Sequence, residues 1–84
     1  MSKRDKLLKR LASKPCDFTW QELTALLAGF GYSELPGGKT GGSRVRFWHE
    51  TREPITLHKP HPANVLKKYQ VHDILETLKK EGLL

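Results

Sequence analysis

Two short segments near the middle of the chain alternate between apolar and polar side chains, and they limit the possible folds more than any other feature. The segments are residues 44–49 and 54–58. Because successive side chains of a β-strand point to opposite faces, the apolar residues of both segments share one face. We expect that face to hold Val45, Phe47, Ile55 and Leu57, and the opposite face to hold Arg44, Arg46, Trp48, Thr56 and His58. The pattern predicts a small sheet with one packed face and one open face.

Helical patterns surround these strands. The clearest helix start is at Thr19 and Glu22, which have the spacing of a capping box, and Gly31 supplies the left-handed end of the same helix. Lys14-Pro15 ends the helix before it, because a residue before proline avoids the helical region. The predicted elements are helices over residues 3–13 and from Thr19 to Gly31, strands over residues 32–35, 44–49 and 54–58, and a helix from about Tyr69 to Glu81.

This order of elements predicts an α+β fold. Helices cover one face of a three-stranded antiparallel sheet in the order α-α-β-β-β-α, and the other face stays open. A chain of 84 residues has room for a single domain over residues 1–84, with a basic helical extension at residues 1–18 and a core at residues 19–84. There is no room for a deep, enclosed active site, so any function must use a surface or a shallow groove.

Positive charge is concentrated in two regions of the chain. The net charge is +6, which favours nucleic acid or another acidic partner. Residues 39–72 hold seven Lys or Arg residues against two Glu, together with all four histidines, and residues 1–18 hold six basic residues against two Asp. Such a regional distribution is typical of a surface that binds phosphates. We expect the basic side chains of residues 1–18 to form mainly a solvated face.

Several classes of site are excluded by residue type and spacing. The single Cys16 excludes an intramolecular disulfide and a cysteine-based metal cluster. Gly38-Lys39-Thr40 lacks the preceding strand and following helix of a phosphate-binding P-loop. His58 and His61 have no further ligands for a zinc site, so we predict no metal and no cofactor. No segment has the length of a membrane span or the pattern of a signal peptide, and we expect a cytoplasmic protein without a membrane partner.

The chain also resembles a known family. The segments that carry the likeness are Glu22–Leu27, Gly31-Tyr32, Gly42–His49, Ile55–Leu57 and His61-Pro62, in this order and followed by a basic helix. They resemble the HicA toxins, small proteins of bacterial toxin–antitoxin pairs. The resemblance covers about residues 20–84 and implies a double-stranded-RNA-binding-like fold. It further implies a metal-independent endoribonuclease that acts on translated messenger RNA, and a HicB-type antitoxin that covers the active surface.

One position departs from the typical family pattern. The residue after Gly42-Ser43 is a catalytic histidine in that pattern, and here it is Arg44. Arginine stays charged at neutral pH and does not act as a general base. It does bind phosphate and stabilise the negative charge that develops during cleavage. Proton transfer must then come from other residues.

Histidines are the candidates for that proton transfer, because imidazole titrates near neutral pH. The predicted catalytic residues are His58, His61 and Arg44. We expect His49 to be a hydrogen-bonded structural residue and His72 to lie on an exposed helix surface. Trp48 is predicted to be exposed, where it stacks on a base or anchors a protein partner. The predicted RNA-binding residues are Lys39, Ser43, Arg44, Arg46, Trp48, Lys59, Lys67 and Lys68.

Three functions stay open on the sequence alone. The first is a HicA-like toxin that binds and cleaves RNA and is neutralised by a HicB-type antitoxin. The second is a catalytically inactive RNA-binding or toxin-derived interaction module. The third is a basic structural protein of a larger assembly, which agrees with the charge but leaves the family pattern unexplained.

Overall fold

The computed structural model of the chain describes residues 3–35, 44–60 and 64–84. Its elements are α1 (Lys3–Ala12), α2 (Trp20–Gly29), β1 (Ser33–Leu35), β2 (Arg44–Trp48), β3 (Ile55–His58) and α3 (Lys68–Lys80). The predicted α+β order is confirmed, and the predicted boundaries differ by only one or two residues. None of the helices in the described ranges has both the length and the apolar character needed to span a membrane.

The three strands form an antiparallel sheet in the order β1-β2-β3. In β2, Val45 and Phe47 are buried, and the residues between and around them are exposed. In β3, Ile55 is buried and Leu57 is half-buried. The alternation predicted from the sequence is therefore confirmed, and the sheet has one packed face and one open face.

The packed face of the sheet meets the helices in one hydrophobic core. The rings of Trp20 in α2 and Phe47 in β2 lie 5.6 Å apart between centroids, which joins the second helix to the central strand. The apolar stripe of α3 lies in the same core. The buried apolar residues are Leu11, Phe18, Trp20, Leu23, Leu26, Leu27, Tyr32, Val45, Phe47, Ile55, Leu66, Val71, Ile74, Leu75 and Leu78. Because the helices pack on one face of the sheet, the other face is open to solvent.

The second helix has the ends that the sequence predicts. The backbone N–H of Glu22 donates to the hydroxyl of Thr19 at 3.1 Å, and the N–H of Thr19 donates to the Glu22 carboxylate at 3.0 Å. At the other end Gly31 has a φ of +96°, a left-handed conformation that glycine adopts without strain. The capping box and the glycine end are both confirmed.

The first helix is attached to the second more firmly than a solvated basic helix would be. Leu11 is fully buried, and the Arg10 guanidinium donates to the Glu22 carboxylate at 2.8 Å and to Asp17 at 3.1 Å. The hydrogen bond from Arg10 is the main cause that lowers the pKa of Glu22 to about 2. The guanidinium of Arg4 lies 5.1 Å from the centre of the Phe30 ring. The predicted, mainly solvated face agrees with the exposure of Arg4. Arg10 departs from it, because its half-buried guanidinium binds carboxylates on and before α2.

A short backbone connection fixes the start of α3. Thr19 and Val65 form an isolated antiparallel bridge. The N–H of Leu66 donates to the carbonyl of Phe18 at 2.8 Å, and the N–H of Trp20 donates to the carbonyl of Asn64 at 3.0 Å. Nothing in the sequence analysis predicted this pairing. It holds the segment before α3 against the segment before α2.

Candidate nucleic-acid interface

The open face of the sheet brings the predicted cationic and imidazole side chains together. Arg44 is paired directly with His58, and Arg46 is paired with Thr56. Directly opposed residues of antiparallel strands share a face, with Cβ atoms about 4.5–5.5 Å apart. All four residues are exposed. Strand alternation predicted that Arg44, Arg46 and His58 share the open face, and the pairing register confirms this and places Arg44 opposite His58.

Two large apolar side chains lie on the same open face. Trp48 is 47% exposed and is paired with Ser33, and Leu35 is 42% exposed and is paired with Arg46. The pairing register makes Leu35 and Trp48 diagonal neighbours. Large exposed apolar groups on a cationic surface are suited to contact bases or a protein partner. Trp48 was predicted at this place, whereas Leu35 was not recognised because it ends a strand of only three residues.

A buried glutamine holds the end of β3 against the start of α3. Gln70 is 4% exposed, and its amide nitrogen donates to the backbone carbonyl of His58 at 2.7 Å. Its amide oxygen accepts from the backbone N–H of Lys67 at 3.0 Å. One side-chain amide thus fixes His58 and Lys67 on its two sides, and it brings the predicted phosphate contacts of α3 next to the open face.

Gln70 was not among the site residues predicted from the sequence. Lys67 and Gln70 have the spacing of an N-cap and the third residue of a helix, as in a capping box. Lysine is not a usual N-cap residue, so the signal was weak. The only other indication in the sequence was the polar side chain of Gln70 at a position of α3 that faces the core.

The start of α3 is strongly cationic. Lys67 and Lys68 are both exposed, and the first turn of the helix has no acidic residue. The positive end of the helix dipole adds to the two ammonium groups. An anion at this end of the helix is therefore favoured by both, which agrees with the predicted role of these lysines.

A groove of about 300 Å³ runs between β3 and α3. His58 and Thr56 line its strand side, and Tyr69, Asp73 and Thr77 line its helix side. Tyr69 is 57% exposed. The groove has room for a group of the size of one nucleotide directly beside His58.

The other histidines have different surroundings. The His49 Nδ1 atom accepts from the backbone N–H groups of Thr51 at 3.0 Å and Arg52 at 3.2 Å. Its hydrogen is therefore on Nε2, which donates to the carbonyl of Phe30 at 3.1 Å. The prediction that His49 is structural is confirmed. His72 is exposed on α3, also as predicted.

The remaining predicted site residues are only partly described. Lys59 is exposed and directly follows β3. Lys39, Ser43 and His61 lie outside the described residues. In the described ranges no three His, Cys, Asp or Glu side chains are grouped as metal ligands would be.

Comparison with known proteins assigns the family. A family profile described as the HicA toxin of bacterial toxin–antitoxin systems matches residues 20–80, which include α2, the whole sheet and α3. Searches of curated proteins and of solved structures found no significant match. The profile match covers well over half of the chain and contains the open face described above. The chain therefore belongs to the HicA toxin family of bacterial toxin–antitoxin systems.

Proposed function

We propose that this toxin is an endoribonuclease that binds messenger RNA on the open face of its sheet and is neutralised by a HicB-type antitoxin. The observation that supports the proposal best is the strand register. It pairs Arg44 with His58 on an exposed face that also carries Arg46 and Trp48. A phosphate-binding cation next to an imidazole is the minimal arrangement for RNA cleavage by proton transfer.

RNA binding is proposed to use charge and stacking together. Arg44 and Arg46 each present a planar guanidinium that forms two parallel hydrogen bonds with a phosphate. Trp48 offers an aromatic surface on which an unpaired base stacks. Lys59, Lys67 and Lys68 extend the positive surface beside the end of β3, and Lys39 and Ser43 are further contacts proposed from the sequence.

The proposed cleavage step is an internal transesterification. His58 accepts the proton of a ribose 2′-hydroxyl, and the 2′-oxygen forms a bond to the neighbouring phosphorus. The bond from phosphorus to the 5′-oxygen of the next nucleotide breaks, and that oxygen takes up a proton, for which His61 is the candidate donor. The products are a 2′,3′-cyclic phosphate and a free 5′-hydroxyl. Arg44 stabilises the additional negative charge on the phosphate oxygens while both bonds are partly formed.

The antitoxin is proposed to cover the same face. Leu35 and Trp48 form an exposed apolar pair among positive charges, and a partner with apolar and acidic side chains complements such a surface. An antitoxin bound there excludes RNA by occupying its site. The proposal places the toxin in the cytoplasm, where its messenger RNA substrate is translated.

A second candidate is an RNA-binding module without catalytic activity. It is favoured by Arg44, which stands where the family resemblance implies a catalytic histidine. In this case RNA binding on the open face is kept, and His58 contacts phosphate without transferring a proton.

Expression of the chain alone in bacteria separates the two candidates. We expect growth arrest with cleaved messages, loss of both in His58→Ala, and weaker toxicity in Arg46→Gln. Lys80→Gln removes the same charge at the far end of α3 and should leave toxicity unchanged. Absence of arrest together with intact RNA binding would support the inactive module. A purified protein that does not bind RNA at low salt would reject both.

A further inference from the structure

A second groove lies on the side of α3 that faces away from β3. Its volume is about 340 Å³, and it is lined by Lys14, Pro15, Lys68, Val71 and His72. The three α3 residues are spaced by three and four positions and therefore lie along one side of the helix. The first two residues belong to the turn after α1. We call this space the N-terminal groove, because it exists only where residues before the family match meet α3.

The chemistry of the N-terminal groove suits a phosphate with its attached sugar or base. Two of its polar lining groups are lysine ammoniums, and the third is an imidazole, which donates a hydrogen bond in either protonation state. None of its described lining residues carries a carboxylate. Pro15 and Val71 supply apolar surface beside the cationic groups. Such a combination favours a nucleotide over a simple inorganic anion.

The backbone of Lys14 is a second, independent observation. Its φ is +55°, and among the described residues no other side-chain-bearing residue has a positive φ. Its N–H donates to the carbonyl of Leu11 at 2.9 Å, so Lys14 ends α1 at a place where glycine is usual and unstrained. The proline that follows further disfavours this conformation. The chain therefore has a strained lysine whose side chain lines the groove, and strained residues of this kind occur often at ligand sites.

The N-terminal end of α3 links the open face of the sheet to the N-terminal groove. Gln70 holds the carbonyl of His58 on one side and the N–H of Lys67 on the other. The next residue, Lys68, lines the groove. A strand of RNA that leaves the sheet at His58 and passes the start of α3 would meet Lys68, which shares the groove with Lys14.

We propose that the N-terminal groove binds a backbone phosphate of the RNA strand that lies on the sheet, and that residues 1–18 thereby contribute to RNA binding. This inference rests on the proposed RNA-binding function. It assigns a role to a segment outside the family match and to Lys14 and His72, which the sequence analysis did not place among the RNA contacts.

The test uses the full chain and a single-stranded 2′-O-methyl RNA, which lacks the attacking hydroxyl and is not cleaved. Affinity is measured by fluorescence anisotropy over a range of salt concentrations. Each lost phosphate contact lowers the salt slope of single-strand binding by about 0.7, which corresponds to about fivefold weaker binding near 0.1 M salt. We expect this loss for Lys14→Gly and not for Lys80→Ala, which removes an equal charge at the other end of α3.

The glycine substitution also separates binding from folding. Glycine relieves the left-handed strain at position 14, so the melting temperature should stay the same or rise while RNA affinity falls. His72→Gln should weaken binding by a smaller factor. The inference is overturned if Lys14→Gly keeps the wild-type affinity and salt slope while Arg46→Gln weakens binding. It is also overturned if Lys14→Gly impairs only neutralisation by the antitoxin. If the wild-type chain binds no RNA, the proposed function fails, and the groove proposal fails with it.

Discussion

Replacement of Gln70 by leucine tests how the open face is held in place. Leucine has a similar volume, but it removes the bonds to the His58 carbonyl and the Lys67 N–H. Each bond contributes about 0.5–1.5 kcal/mol to folding, so the expected loss of unfolding free energy is about 1–3 kcal/mol. For a domain of this size, a loss of about 2 kcal/mol lowers the melting temperature by about 8–16 °C.

Urea and thermal unfolding measure that loss, with Gln21→Leu as the matched control. Gln21 is exposed on α2, so its replacement by leucine should change stability by no more than about 0.5 kcal/mol. If Gln70→Leu is as stable as Gln21→Leu, the bridge between β3 and α3 does not exist as described.

A functional measurement then separates positioning from stability. At a temperature where Gln70→Leu is fully folded, cleavage of bound RNA should be slower than in the wild type, because His58 and Lys67 are no longer fixed to the same amide. The RNA cleavage rate under single-turnover conditions reports this step. A folded variant that cleaves bound RNA at the wild-type rate would show that Gln70 only stabilises the fold.

Four further predictions concern the fold and the open face. The pKa of Glu22 is lowered to about 2, so its ion pair with Arg10 stabilises the protein above about pH 4.5 and is lost as the pH falls from there toward 2. Between neutral pH and about pH 2, the wild type should therefore lose about 1 kcal/mol more unfolding free energy than Glu22→Gln, because this pair is partly solvated. Arg44→His should raise the rate of RNA cleavage and weaken RNA affinity, measured by single-turnover kinetics and anisotropy; an unchanged rate would contradict the role implied for this position. Trp48→Ala should keep its stability but lose about 1–3 kcal/mol of RNA binding free energy; a loss of antitoxin binding alone would assign Trp48 to the protein partner. Gly31→Ala should destabilise by about 1–2 kcal/mol, because its φ is +96° and a Cβ would lie 3.0 Å from His49 Nε2; an unchanged melting temperature would contradict this geometry.

Local patterns explain why much of this fold was predictable. Strand alternation placed Arg44, Arg46 and His58 on one face, and the capping box and Gly31 gave the two ends of α2. These signals depend on residues close together in the sequence. The family pattern added the fold type and the expectation of a toxin. The structure confirms the first, and the profile match confirms membership of a toxin family.

The missing parts depend on contacts between distant segments. The amide of Gln70 reaches a carbonyl twelve positions earlier in the chain, and Arg10 reaches Glu22 across a turn. The pairing of Thr19 with Val65 joins the start of α2 to the segment before α3, which lies far along the chain. No periodicity reports such contacts, because each requires the fold to be complete. The electrostatic and stacking roles of the site residues stay predictions for the same reason.

Helices α2 and α3 begin with the same capping geometry, but the capping side chain is charged in α2 and neutral in α3. Both have a residue at the third helical position whose side chain accepts from the N-cap N–H: Glu22 in α2 and Gln70 in α3. The carboxylate neutralises the positive end of its helix from inside the protein, whereas the neutral amide leaves that end uncompensated. Only one of the two helix starts can then attract an anion from solution. An acidic side chain in place of Gln70 would neutralise the positive end of α3 and remove its attraction for an anion.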